Sequence, residues 1–230
     1  MPGLPRVLVR VLAFDTSTPI ASVAVLVGEE LAAEVGGRVA SRHGESLFPM
    51  IEQALAWSGI GRSDLDLIAV GLGPGSFTGT RIGVATAKGL ALALERPIVG
   101  VVTLRALAAA APASRIATIV DAHQGEVFVA AYRREAAASI CELAPDHLRP
   151  DEAAARVRAL GPIARLGSGL RRYPDVFAAL DGPTLPAVYD APRAAHIARL
   201  AQERHAQSGP DELALVEPLY VRASDAKLPG

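Results

Sequence analysis

A buried-strand pattern that ends in aspartate recurs after about a hundred residues, which points to a duplicated fold. Val7 to Phe14 (VLVRVLAF) is an apolar, β-branched run closed by Asp15. A run of that kind predicts a strand covered on both faces. The polar turn DTSTP follows, then a second strand over Ala21 to Val27, a turn at Gly28-Glu29 and a third strand over Leu31 to Val39. From Arg115 the pattern restarts: IATIVDAHQGEVFVAAY reads as strand, Asp121-containing turn, strand. Two such units predict a duplicated α/β architecture.

The intervening segments fit the same plan. Leu47, Ile51, Ala54 and Leu55 recur at helical spacing before a stop at Gly59, with Pro49 expected in the first turn. Leu67 to Val70 reads as a short buried strand leading into GLGPGSFTGTRIGVATAKG, Gly71 to Gly89. Ser76 or Thr78 can cap a helix running to about Leu94. A strand over Pro97 to Val102 and a helix over Leu104 to Ala111 follow. The second half is sparser: a helix near Pro150 to Leu160, a strand over Ile163 to Leu166, and a last helix over Ala194 to Ala206. The expected division is a first lobe over residues 1–105, a smaller lobe over 106–209, and a segment from about 210 to 230 packing back on the first.

Charge and cysteine content narrow the function. The formal net charge is -1, with no long basic run, so the surface is not built to hold nucleic acid alone. Cys141 is the single cysteine, which excludes an internal disulfide and a CxxC cluster. The first residues lack a small-residue cleavage site, and no long apolar run could span a membrane; a cytoplasmic location without membrane contact is expected.

The glycine-rich turn invites a phosphate-loop reading that its spacing does not support. GxxxxGK[ST] requires a lysine, and none lies between Gly71 and Thr80; GxGxxG fails at Thr78. Generic anion binding remains open for the loops carrying Asp15, Thr16, Ser17, Gly73, Gly75, Ser76, Thr78 and Asp121. The helix favours a packing role, because Gly79, Gly83, Ala87 and Ala91 form a nearly bare stripe, with Ala85, Gly89 and Ala93 beside it. Part of this stripe is expected to meet the domain's own sheet; periodicity alone leaves open a second chain.

Catalytic candidates are few. No GxSxG elbow and no HxxxH or HExxH pair occurs, so no metal is expected. Asp15 and Asp121, each ending a strand at a turn, are the carboxylates placed as catalytic or magnesium-binding acids commonly are; a turn-forming role serves each equally well. They leave open a nucleotide-dependent phosphoryl or carbamoyl transferase.

Five segments carry a family resemblance: FDTSTPIASVAV, HGESLFPMIEQAL, GPGSFTGTRIGVATAKGLALAL, VDAHQGEVFVAAY and VEPLYVRASDAKLPG. Together they resemble the TsaB (YeaZ) family, non-catalytic relatives of TsaD, across nearly the whole chain. The resemblance implies a two-lobed actin-like ATPase (ASKHA) fold with duplicated βββαβαβα units and a reduced second lobe. It also implies a non-enzymatic subunit that joins TsaD and the ATPase TsaE to make threonylcarbamoyladenosine (t6A) in tRNA. The tRNA would be met only through the complex. ATP or ADP would be held at a complex interface, with no cofactor for the isolated chain. TsaD-like proteins carry an HxxxH metal pair where Thr103 and Leu107 stand here. Docking is expected on the helices Glu45 to Trp57 and Thr78 to Leu94, through Leu47, Met50, Ile51, Ala54, Gly79, Ile82, Gly83, Ala87 and Leu90. Without TsaD the same surface would close a homodimer. A glycoprotease reading, an old label for this family, lacks both a metal pair and triad spacing.

Overall fold

Side chains alternate along the first strand, and both of its faces are covered. Leu12 and Phe14 enter one apolar cluster and Val11 and Ala13 another. This double burial is the reason Val11 to Phe14 contains no polar residue before Asp15. The computed structural model describes residues 8–39, 43–135 and 139–221.

The first sheet comprises β1 (Arg10–Asp15), β2 (Ile20–Val27), β3 (Glu30–Arg38), β4 (Leu67–Gly71) and β5 (Ile98–Val101), in the order β3-β2-β1-β4-β5. β1, β2 and β3 form an antiparallel meander, while β4 and β5 are added parallel to β1. Between them run α1 (His43–Ser58), α2 (Phe77–Leu94) and α3 (Thr103–Ala110), so the order through residue 110 is βββαβαβα. α1 begins at His43, which puts Pro49 inside the helix rather than in its first turn. Ser76 caps α2 by accepting a hydrogen bond from the Gly79 amide, 3.2 Å.

The second unit repeats the opening with β6 (Arg115–His123), β7 (Glu126–Arg134), β8 (Ser139–Leu148), α4 (Pro150–Ala159) and β9 (Ala164–Leu166), in the sheet order β8-β7-β6-β9. Two short helices follow, α5 (Ser168–Arg172) and α6 (Pro174–Phe177). This sheet has four strands against five in the first. β8 was not foreseen: it is a half-exposed edge strand containing Pro145, without apolar alternation, and it pairs only with β7.

The last helix, α7 (Ala194–Ser208), was expected in the second lobe, but the structure packs it on the first sheet. Its Ala194, Ala195, Ile197, Ala198 and Ala201 share a cluster with Val11, Ala24, Leu67 and Val99. A boundary at residue 209 therefore falls after this helix instead of before it. α1 and α2 cover the opposite face of the same sheet, with Leu47, Ile51, Val84 and Ala87 meeting Leu12, Phe14 and Val70. α3 lies between the lobes: Ala106 joins the first-sheet cluster and Leu104 and Leu107 the second.

After α7 the chain returns to the first lobe as a strap. The Asp211 amide donates to the Ile98 carbonyl at 2.9 Å, and the Leu219 amide to that of Leu72 at 2.8 Å. Val216, 3% exposed, is buried in the α1/α2 core. Expectations for Ala223 to Gly230 lie outside the described residues.

Candidate functional site

Asp15 sits at the end of β1 with no exposed surface, and both of its carboxylate oxygens are engaged. Oδ1 accepts from the Ser17 amide at 2.8 Å and the Ser17 hydroxyl at 2.7 Å. Oδ2 accepts from the Thr103 hydroxyl at 2.6 Å, and that Thr103 oxygen accepts from the Gly73 amide at 3.1 Å. Buried carboxylates require such donors, because an unpaired charge in the interior is costly. The residue standing where TsaD-like proteins would carry a metal histidine thus ties three loops to one carboxylate. Leu107, one turn further along α3, is fully buried in the second-lobe core.

The glycines of the turn admit this arrangement by bringing backbones together. A Cβ on Gly71 would fall on the Asp15 carboxylate, on Gly75 on the Ser17 carbonyl, and on Gly79 on the Thr16 carbonyl. On Gly83 it would fall on the Thr16 hydroxyl, which donates to the Gly79 carbonyl at 2.7 Å. Amides that a phosphate would need are spent within the chain. Ser76 N–H donates to the Ser17 carbonyl at 2.7 Å, Gly73 N–H to Thr103, and Ser17 N–H to Asp15. The turn between β1 and β2 is therefore closed by its own contacts, which occupy the Asp15 carboxylate and these amides.

A cleft of about 690 Å³ opens between the two sheets. Ser17, Thr18, Gly75, Ser76 and Thr78 face it from the first lobe; Asp121, His123, Phe128, Ser168 and Asp190 face it from the second. Asp15, without exposed surface, is not among the residues that line it, whereas Asp121 is. Asp121 accepts from the His123 amide at 3.1 Å, an aspartate turn contact, and its own amide donates to the Ser168 hydroxyl at 3.0 Å. Asp190 is a residue that the sequence reading missed. Burial raises its pKa, opposed by the Gly167 amide at 2.8 Å and by Arg171 at 3.1 Å. Asp190 lies outside any recognisable motif, and only the chain's return past β9 brings it to the cleft. Among the described residues no group of three or more His, Cys, Asp or Glu could hold a metal ion.

The predicted docking residues divide by burial. Leu47, Ile51, Ala54, Gly79, Gly83 and Ala87 face the chain's own sheet and hairpin and offer no side-chain surface to a partner. Met50, Ile82 and Leu90 pack on the rim of that core and remain partly exposed. The outer face of α2 instead presents Ala85, Gly89 and Ala93, all exposed, and a Cβ on Gly89 would meet nothing within 4 Å. Phe48 of α1 and Leu92 of α2 are 51% and 70% exposed. The small-residue helix is thus two-sided: one stripe is consumed inside the lobe and the other faces outward.

Comparisons with known proteins agree with this architecture. Residues 21–156 match the family profile described as TsaD: tRNA N6-adenosine threonylcarbamoyltransferase. The chain is 34% identical to the Escherichia coli "tRNA threonylcarbamoyladenosine biosynthesis protein TsaB", over 96% of this chain and 99% of that protein. The solved structure of YeaZ from Pseudomonas aeruginosa matches with a TM-score of 0.83 at 30% identity, covering 92% of this chain and 99% of that one. (R)-2-hydroxyglutaryl-CoA dehydratase component A from Acidaminococcus fermentans matches with a TM-score of 0.50 at 10% identity, over 86% of this chain and 99% of that one, a likeness of fold alone. With its duplicated βββα opening, reduced second sheet and near full-length match to TsaB, the chain has the actin-like ATPase fold and belongs to the TsaB family.

Proposed function

We propose that this chain is a non-enzymatic subunit of the machinery that makes t6A in tRNA, docking on the catalytic TsaD and working with the ATPase TsaE. The observation that carries the reading is the outward stripe of α2. Ala85, Gly89 and Ala93 leave a helix face without long side chains, flanked by exposed Leu92 and partly exposed Ile82. A face of this kind lets a second helix approach closely, and clustered exposed apolar side chains beside it suit an interface. The engaged state of Asp15 supports the same reading, since the residue best placed to act as an acid is occupied in holding the hairpin, α3 and the glycine turn together. Nucleotide, on this reading, belongs to the junction with a partner and not to the cleft of the isolated chain. No helix among the described residues is long and apolar enough to cross a membrane.

The test is reconstitution of tRNA modification from purified TsaD, TsaE and this chain. Product formation should require the chain. Ala85→Arg, which places a long charged side chain on the outer stripe, should abolish co-elution with TsaD while leaving the melting temperature unchanged. Equal product with and without the chain would remove the proposal.

A further inference from the structure

The C-terminal strap runs alongside α2 in the opposite direction and is fastened at both ends. Lys88 donates its ammonium to the Ala214 and Val216 carbonyls at 3.3 and 3.2 Å, near the middle of the helix. At the helix start, Arg81 Nε donates to the Tyr220 hydroxyl at 2.7 Å. The same guanidinium lies 3.6 Å from the centre of the Phe77 ring and 5.6 Å from that of Tyr220. The two rings are 5.9 Å apart and 58% and 51% exposed. Arg81 is itself exposed, and among the described residues its hydrogen bonding runs through Nε alone. Its remaining fork of N–H donors is held in a fixed direction, and no carboxylate of the described residues lies against it.

We infer that Arg81, stacked on Phe77 and tied by Tyr220, is a preorganised receptor for a carboxylate of the protein that docks on α2, and that the strap belongs to the docking surface. A planar guanidinium with its stem immobilised forms two parallel bonds to a carboxylate at little conformational cost. Arginine flanked by exposed aromatic rings is also the composition that dominates protein interfaces. Continuity supplies the choice of occupant, because Arg81 is one helical turn from Ala85 on the same helix. A nucleic-acid backbone would call for several cations, whereas Lys88, the next basic residue on α2, is spent on strap carbonyls and the chain carries a net charge of -1.

This inference rests on the docking reading, and the two are separated by their variants. Titration calorimetry of the full chain with TsaD should show association about tenfold weaker for Arg81→Lys, which keeps the charge but loses the fork. Tyr220→Phe, which keeps the ring but loses the tether, should weaken it less, and both variants should keep the melting temperature of the parent. Arg81→Lys and Tyr220→Phe binding at parental affinity while Ala85→Arg fails to bind would overturn the carboxylate receptor and leave docking intact. Parental binding by Ala85→Arg would remove both. Inorganic phosphate is titrated into the isolated chain as the competing case. Saturable binding that disappears in Arg81→Ala would reassign the fork to phosphate and also overturn the inference.

Discussion

At the scale of single residues, Thr103 and the glycines of α2 have effects that their chemistry alone would not suggest. Thr103 joins Asp15 to Gly73, so Thr103→Val leaves a buried carboxylate oxygen short of a donor. The expected loss is about 1–3 kcal/mol in denaturant unfolding, recovered largely by Thr103→Ser. Glycines on one helix should respond with opposite signs. Gly83→Ala drives a methyl group into Thr16 and should cost about 1–3 kcal/mol. Gly89→Ala enters open space and should raise stability by roughly 0.5–1 kcal/mol. Equal effects at the two positions would contradict the two-sided helix. His196 on α7 has its pKa lowered, by burial first and then by Arg199, Arg193 and Arg134, with Glu34 opposing. The fold thus disfavours the protonated ring. Its contribution to stability is complete above the ordinary histidine value of 6.5 and is lost as pH falls through that value toward the lower folded one. Melting temperature measured downward from pH 6.5 should fall more steeply for the parent than for His196→Gln.

At the scale of elements, burial on one or two faces decided which were legible. β1 and β4 are covered on both faces and show as apolar runs, Val11 to Phe14 and Leu67 to Val70. β8 is an edge strand with one neighbour, and its sequence SICELAPDHL carries too little alternation to be read alone. α7 shows its apolar face plainly, but periodicity does not say which sheet receives it. The strap contains no regular strand, and its attachment rests on the burial of Val216, on bonds to Ile98, Gly100 and Leu72, and on those from Lys88 and Arg81 of α2. Val216→Asp should release it. Limited chymotrypsin digestion should then cut at Leu219 or Tyr220 faster than in the parent, with the remaining core protected.

At the scale of the molecule, a closed hairpin and an open helix face point in one direction. The cleft between the lobes mixes polar groups with apolar ones such as Ile20, Val120 and Phe128, and the nearby Asp15 carboxylate is committed to Ser17 and Thr103, while α1 and α2 present exposed Phe48, Ala85, Gly89, Leu92 and Ala93. If this face associates with a second copy when TsaD is absent, sedimentation of the pure chain should give a dimer that Ala85→Arg converts to a monomer. A parental dimer that survives this substitution would place self-association on another surface.

The sequence by itself determined the duplicated strand pattern, the strand to glycine turn to helix connection, the lack of a GxxxxGK[ST] or GxGxxG spacing in that turn, and the family. All of these are local periodicities or spacings, which survive in one dimension. Only the tertiary structure decided that Gly79, Gly83 and Ala87 face inward while Ala85, Gly89 and Ala93 face outward. It alone turned Asp15 from a candidate acid into a hydrogen-bonded knot, brought Asp190 to the cleft, and laid the strap beside Arg81. The physical reason is that burial and hydrogen-bond partnership belong to pairs of segments far apart in the chain. A helix with small residues on two sides does not declare which side its own sheet will occupy.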